Sequence, residues 1–250
     1  MNLYFDGDLK LHLPEVTGKV KLDKDTPSHR YLNSKFYLRE TSDHTGCWKA
    51  ICLWLGKRVG PEPVVVDAMC GMGLGSKILK KYLKPETLIC NDLSTECCDI
   101  IRENIPTAEV WNENIFEVPR IIQEKRERVN LVCVDFNTFS LKSVEWVRVL
   151  TELAGVTDWL AFADTAIYGF SRFPKNFDVY GVTDEKQYYR KLAGTISKEH
   201  YLQVVSSHHN AAIVLLGRRK TIKMVDLPGF DLGLTLGRTI FTVGSEGSGG

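Results

Sequence analysis

The chain lacks a dominant charge: 32 Lys and Arg stand against 31 Asp and Glu, a formal net charge of +1. No global positive field advertises a nucleic acid or a membrane surface, although a local basic patch remains open. It also lacks any apolar run near the ~18–20 residues that cross a bilayer. The opening MNLYFDGDLKLHLP has no basic stretch leading into an apolar one, so neither a membrane span nor a secretory leader is expected. A disulfide framework is missing too. The seven cysteines are an odd number, lie mostly inside apolar runs and form no CxxC pair. Reduced thiols in a cytoplasmic protein are expected. His44 and Cys47 stand at ligand spacing, but no second pair completes a tetrahedral site, so no metal is expected.

What is present is ordinary for a globular protein: 250 residues, 44% hydrophobic and 25% charged. That length suits one domain, or one domain with a small appendage, and the composition argues against a mainly disordered chain. Three parts are expected: an N-terminal arm or small β extension over 1–42, a main domain over 43–220, and an extension with a flexible tail over 221–250. Residues 1–35 alternate apolar and polar positions, with turns at Pro14, Gly18 and Pro27, and read as short strands or an extended arm. Trp48, Ile51, Cys52 and Leu55 recur at helical spacing before Gly56.

A regular alternation then begins. The β-branched run PVVVDA (63–68) reads as a buried strand, followed by a glycine-rich turn and a helix near 75–84. Further strands are predicted at 87–92, 108–112, 130–136 and 157–164, with helices near 94–104, 116–128, 141–154 and 183–197 between and after them. Ser94 is placed to cap the second of these helices, with Glu96 near the capping-box position. The β-runs 201–207 and 211–217, separated by His208, His209 and Asn210, read as a hairpin, and 221–243 as further strand and loop. Repeated strand–helix units imply an α/β fold, a doubly wound and mostly parallel sheet, here with a C-terminal antiparallel hairpin and a small N-terminal β arm.

The densest chemical signal is Asp67-Ala-Met-Cys-Gly71-Met-Gly73-Leu-Gly75-Ser76, at the C-terminal end of the first parallel strand. Open α/β sheets bind ligands there, and glycines let backbone N–H groups approach closely. Two ligand classes use such a turn. A dinucleotide wants G-x-G-x-x-G, but Ser76 occupies the third position. S-adenosylmethionine wants an acidic strand end before the glycines, because it carries an ammonium and no phosphate; Asp67 fits that logic. Asp92, 25 residues on at the next strand end, can accept both ribose hydroxyls in either class. Asn114, leaving the third strand beside Glu113, is a further polar candidate for the ligand.

On Asp67, Gly71, Gly73 and Asp92, the stretch from about 60 to 217 resembles the class I S-adenosylmethionine-dependent methyltransferases. The Asp-x-x-x-Gly-x-Gly spacing is most similar to the turns of DNA and RNA base methyltransferases. Three further segments resemble the tRNA guanine N2-methyltransferases. They are Asn91-Asp92-Leu93-Ser94 with Asn104 at a helix end, Asp135-Phe136-Asn137-Thr138-Phe139-Ser140 after the fourth strand, and Ala163-Asp164-Thr165-Ala166 after the fifth. Asn137 stands where that family has a second carboxylate, and Thr138 where it has proline. The resemblance implies methyl transfer to an exocyclic amine in RNA, in particular tRNA. Asp135 and Asn137 would then accept the amine's hydrogen bonds and Phe139 would stack on the base.

Arg172 and Lys175, interleaved with Tyr168, Phe170, Phe173 and Phe177, suit a nucleic-acid contact or a folded lid. Arg218, Arg219 and Lys220 read as a solvated strand end more readily than as a phosphate site. Cys133 lies within a strand, not after it, which points away from a cysteine nucleophile. The rival readings are a methyltransferase of a protein or small molecule, a non-catalytic methyltransferase-like subunit that binds a protein partner or RNA, and a nicotinamide-dependent dehydrogenase.

Overall fold

The computed structural model describes residues 4–5, 11–12, 48, 51–53, 55–56, 58–126, 128–135, 144–164, 181–183, 185–206, 212–218 and 239–243. The chain forms two compact units, Met1–Val118 and Pro119–Gly250.

In the first unit, strands β1 (Tyr4–Phe5) and β2 (Leu11–His12) pair antiparallel. Trp48, Ile51, Cys52 and Leu55 are helical and buried, as their spacing predicts. The alternating part follows: β3 (Val64–Asp67), helix α1 (Leu74–Leu83), β4 (Thr87–Asn91), helix α2 (Thr95–Asn104) and β5 (Glu109–Trp111). The three strands run parallel in the order β3-β4-β5, with Asp67 level with Cys90 and Asn91 level with Trp111. Val65, Val66, Ile89 and Cys90 are wholly buried, which is why this stretch reads as a continuous apolar run. Helix α1 covers the strands with Ile78, Leu79 and Leu83, and α2 with Ile100 and Ile101. Each fully buried Ile or Leu contributes ~1.5–3 kcal/mol relative to exposure. Ser94 caps α2 as expected, its Oγ accepting from the Cys97 N–H at 3.3 Å.

The second unit holds most of α3 (Val118–Arg126), then β6 (Val129–Val134), α4 (Val144–Val156), β7 (Thr157–Asp164), α5 (Glu185–Ile196), β8 (His200–Ser206), β9 (Ala212–Arg218) and β10 (Thr239–Val243). The strand order is β10-β8-β9-β7-β6. Strands β6 and β7 are parallel, while β8 and β9 form the expected hairpin, with Val204 level with Val214. The sequence pattern anticipated one antiparallel pair at this end. The structure adds β10, antiparallel to β8 with a register shift between Thr239 and Phe241. Helix α4 packs on β7 and α5 around Trp159, Leu150, Leu153, Tyr188 and Leu192.

Taken by their strand–helix alternation, the elements are those of a doubly wound, mostly parallel α/β fold with an antiparallel C-terminal end. Among the described residues no helix is long and apolar enough to cross a membrane, and no cluster of His, Cys, Asp and Glu is placed to hold a metal ion. The six described cysteines are buried free thiols. Burial and the nearby Asp67 charge push Cys52 well up, and burial and the Asp92 charge push Cys97 up to about 12, so both stay protonated at neutral pH.

His200, where β8 begins, is 6% exposed, with Nδ1 2.9 Å from Ser197 Oγ. Burial, then the Arg128 charge, holds its pKa below the ordinary 6.5. Protonation therefore favours the unfolded chain. The folded state keeps its full margin above pH 6.5 and loses it as pH falls from 6.5 toward the lower folded value. Urea unfolding at stepped pH is expected to show this decline in the wild type and a flatter profile over the same window in His200→Gln.

Candidate functional site

At the C-terminal ends of β3, β4 and β5 the chain brings together four of the residues singled out from the sequence. Asp67 ends β3 and is 4% exposed; its Oδ2 accepts from Ser76 Oγ at 2.6 Å. That bond pins the strand end to the first turn of α1. It also gives Ser76 its purpose at the position where a dinucleotide turn has its third glycine, because a hydroxyl is needed there to hold the acid.

The glycines differ in their reasons. Gly73 is the N-cap of α1, with φ +88°, and a Cβ on it would lie 2.1 Å from Ile101 Cδ1. Both the left-handed backbone and the packing of α2 demand glycine here. Gly71 has φ +51°, and its N–H donates to Asp92 Oδ2 at 2.9 Å. No side chain caps the start of α1, so its first N–H groups suit the carboxylate of an amino-acid ligand.

Asp92 follows β4 and is buried. Besides the Gly71 N–H on Oδ2, its Oδ1 accepts the Ser94 N–H at 2.9 Å. Burial raises its pKa above the ordinary 3.8, and the backbone donors pull the other way. A carboxylate has about four acceptor positions, so both oxygens keep capacity for a ligand's hydroxyls.

Next to it Leu93 is 64% exposed, a large apolar side chain left on the surface at the rim of the site. Within the Asn91-Asp92-Leu93-Ser94 segment the sequence pattern assigns it no role of its own; a leucine directly after a strand-end acid is the signal for one. Asn112 was missed as well. Its Nδ2 donates to the carbonyls of Asp92 (2.9 Å) and Leu93 (3.0 Å), and its Oδ1 accepts from Thr95 Oγ1 at 2.8 Å.

Asn114 lies on the same rim, beyond β5, and is exposed. Its Oδ1 accepts from the Phe116 N–H at 3.1 Å, which turns its own loop and leaves the second lone pair of Oδ1 for another donor. Asp135 belongs to the second unit, half-buried immediately after β6. Asn137, Phe139, residues 165–180, His208, His209, Arg219 and Lys220 lie outside the described residues.

The glycine turn yields a direct test of this geometry. Gly73→Ala must adopt a left-handed φ and displace Ile101, so it is expected to cost about 1–3 kcal/mol of stability in urea denaturation. Gly60 also has a positive φ (+82°), but a Cβ added there would meet nothing within 4 Å. Replacing it by alanine in parallel isolates the packing part of the Gly73 cost.

No family model matches the chain. The chain is 24% identical over 164 residues to a tRNA (guanine(37)-N(1))-methyltransferase of Giardia intestinalis, covering 64% of this chain and 34% of that protein. It thus spans about a third of the length of that relative. Among solved structures, the plantazolicin methyltransferase BpumL in complex with SAH superposes with a TM-score of 0.56 at 14% identity, covering 78% of this chain and 91% of that one. An O-methyltransferase family protein from Burkholderia thailandensis superposes with a TM-score of 0.50 at 14% identity, covering 70% and 56%. With the strand-end acids and the glycine turn already in place, these likenesses show that the chain has the Rossmann-like α/β fold that those methyltransferases have.

Proposed function

We propose that this chain is an S-adenosylmethionine-dependent methyltransferase that modifies a nucleic-acid base, and that the acceptor is an exocyclic amine in RNA of the tRNA kind. The observation that carries the reading is the Asp67–Gly71–Gly73–Asp92 constellation, in which a buried carboxylate and a glycine turn are locked together at the strand ends. The donor set fits the cofactor. Asp92 accepts the ribose hydroxyls, Leu93 offers an apolar cover for the adenine, Asn114 meets the adenine amine, and the glycine turn with Asp67 receives the amino-acid end. When bound, the cofactor supplies a methyl group already activated on a sulfonium.

The protein's remaining task is alignment, since little covalent assistance is needed for such a transfer. Asp135 accepts an N–H of the acceptor amine, holds its lone pair in line, steadies the positive charge that grows on nitrogen and takes up the proton released. Asn137 supplies a second acceptor and Phe139 a stacking face for the extruded base. The sequence likeness to a tRNA methyltransferase supports RNA as the substrate class.

Calorimetric titration tests the cofactor half. Asp92→Ala is expected to weaken S-adenosylmethionine binding by about 10- to 100-fold, with NAD showing no binding to either form. The pH profile adds a sign. Because burial raises the Asp92 pKa, wild-type affinity falls on acidification from a pH already above 3.8. Asp92→Asn loses that dependence.

Transfer of labelled methyl to unmodified tRNA, followed by nuclease digestion and nucleoside mass spectrometry, tests the acceptor half. Asp135→Ala is expected to lower turnover about 10²- to 10⁴-fold with cofactor binding intact. Label on a ring nitrogen would move the acceptor to the atom named for the Giardia relative. Label that survives nuclease on a peptide or metabolite would replace RNA as the substrate.

A further inference from the structure

The proposed reaction has no use for the amide of Asn91, yet that side chain is 1% exposed and fully engaged. Its Nδ2 donates to the Ala68 carbonyl at 3.0 Å and to the Glu113 carbonyl at 3.1 Å, and its Oδ1 accepts the Glu113 N–H at 3.1 Å. Ala68 follows β3, Asn91 ends β4, and Glu113 lies just past β5. One side chain therefore joins the exits of all three parallel strands of the first unit.

It does so where the sheet ladder gives out. The β3–β4 register ends at Asp67 with Cys90, and the β4–β5 register at Asn91 with Trp111. Beyond those pairs the glycine turn goes one way and the Trp111–Asn114 exit the other. One backbone bond, from the Cys70 N–H to the Asn91 carbonyl at 2.9 Å, still holds the turn to β4, and the Asn91 amide adds bonds to both sides. In an apolar substitute the two carbonyls and the Glu113 N–H would need new partners, at a cost. Asn112 makes a contrasting connection: its bonds reach Asp92, Leu93 and Thr95 but not the glycine turn.

We infer that Asn91 is a positioning residue that sets the gap between the glycine turn and the third-strand exit, and so favours a ligand long enough to touch both. The inference rests on the cofactor reading above, in which the turn takes the amino-acid end and the exit takes the adenine. A ligand spanning two preset half-sites gains from their fixed separation, whereas a fragment that fills one half-site does not.

The test compares S-adenosylhomocysteine, which spans both half-sites, with adenosine, which fills one. Both are titrated into wild type, Asn91→Ala, Asn91→Asp and Asn112→Ala, with thermal unfolding measured alongside. The expected result is a dissociation constant for S-adenosylhomocysteine raised about 10-fold or more in both Asn91 variants, with adenosine changed less than about twofold. Asn112→Ala is expected to weaken the two ligands alike. Equal weakening of both ligands by the Asn91 variants, or no weakening, overturns the inference. Unfolding of both Asn91 variants at the assay temperature also overturns it, since the amide would then hold the fold and not the gap. A wild type that binds neither ligand removes the cofactor reading and this inference together; any failure confined to the variants removes this inference alone.

Discussion

A single hydrogen bond, from the Gly71 N–H to the buried Asp92 carboxylate, couples elements that are 21 residues apart in the chain. Residue 71 presents that N–H from a left-handed backbone with φ +51°, which glycine adopts without strain. The carboxylate can sit in so buried a place only because backbone N–H groups meet it from two directions, Gly71 and Ser94. Ser94 then passes the restraint on, since its Oγ fixes the first turn of α2 and α2 supplies Ile101 to close over Gly73. The loop closes on itself: turn, acid, cap, helix, turn. Disturbing any member moves the others, which gives the rim of this site its rigidity.

Much of the fold was legible because it rests on local pattern. The run Val64–Val66 could only be a buried strand, and Ser94 before Thr95 announced a helix start through its own hydroxyl. Asp67, Gly71, Gly73 and Asp92 stood out because the chemistry of the proposed ligand site restricts such positions to few residue types, and the structure joins Gly71 to Asp92 and Asp67 to Ser76 by hydrogen bonds. The remainder was hidden for a physical reason. Asn91, Asn112 and Ser76 act through hydrogen bonds whose partners lie 9 to 23 residues away. A periodicity of two or 3.6 carries no trace of such bonds. Strand β10 was only loosely anticipated, because an edge strand added by long-range pairing needs little intrinsic pattern of its own.

The first unit contains every residue proposed for the cofactor, and its polar side chains are spent on shaping backbone. Within the second unit Asp135 follows β6, and the parallel neighbour of that strand, β7, ends in Asp164. Val134 stands level with Phe162, so the two acids leave adjacent strands close to the same level. They are differently dressed: Asp135 is half-buried, while Asp164 is wholly buried and accepts the hydroxyls of Tyr188 (3.1 Å) and Tyr189 (3.4 Å). The two rings meet edge to face at 5.1 Å, which fills the space around that carboxylate with aromatic surface.

That buried trio has a consequence for how the protein can vary. Consecutive tyrosines on one helix reach the same buried acid, so α5 cannot roll about its axis without losing one of those bonds. The end of β7 and the first turns of α5 are thereby held at a set separation, whatever sequence connects them. When both ends of a connection are fixed by their own contacts, doubling its length costs only about 0.6 kcal/mol in closure entropy. The length of the 165–184 connection therefore weighs little on folding.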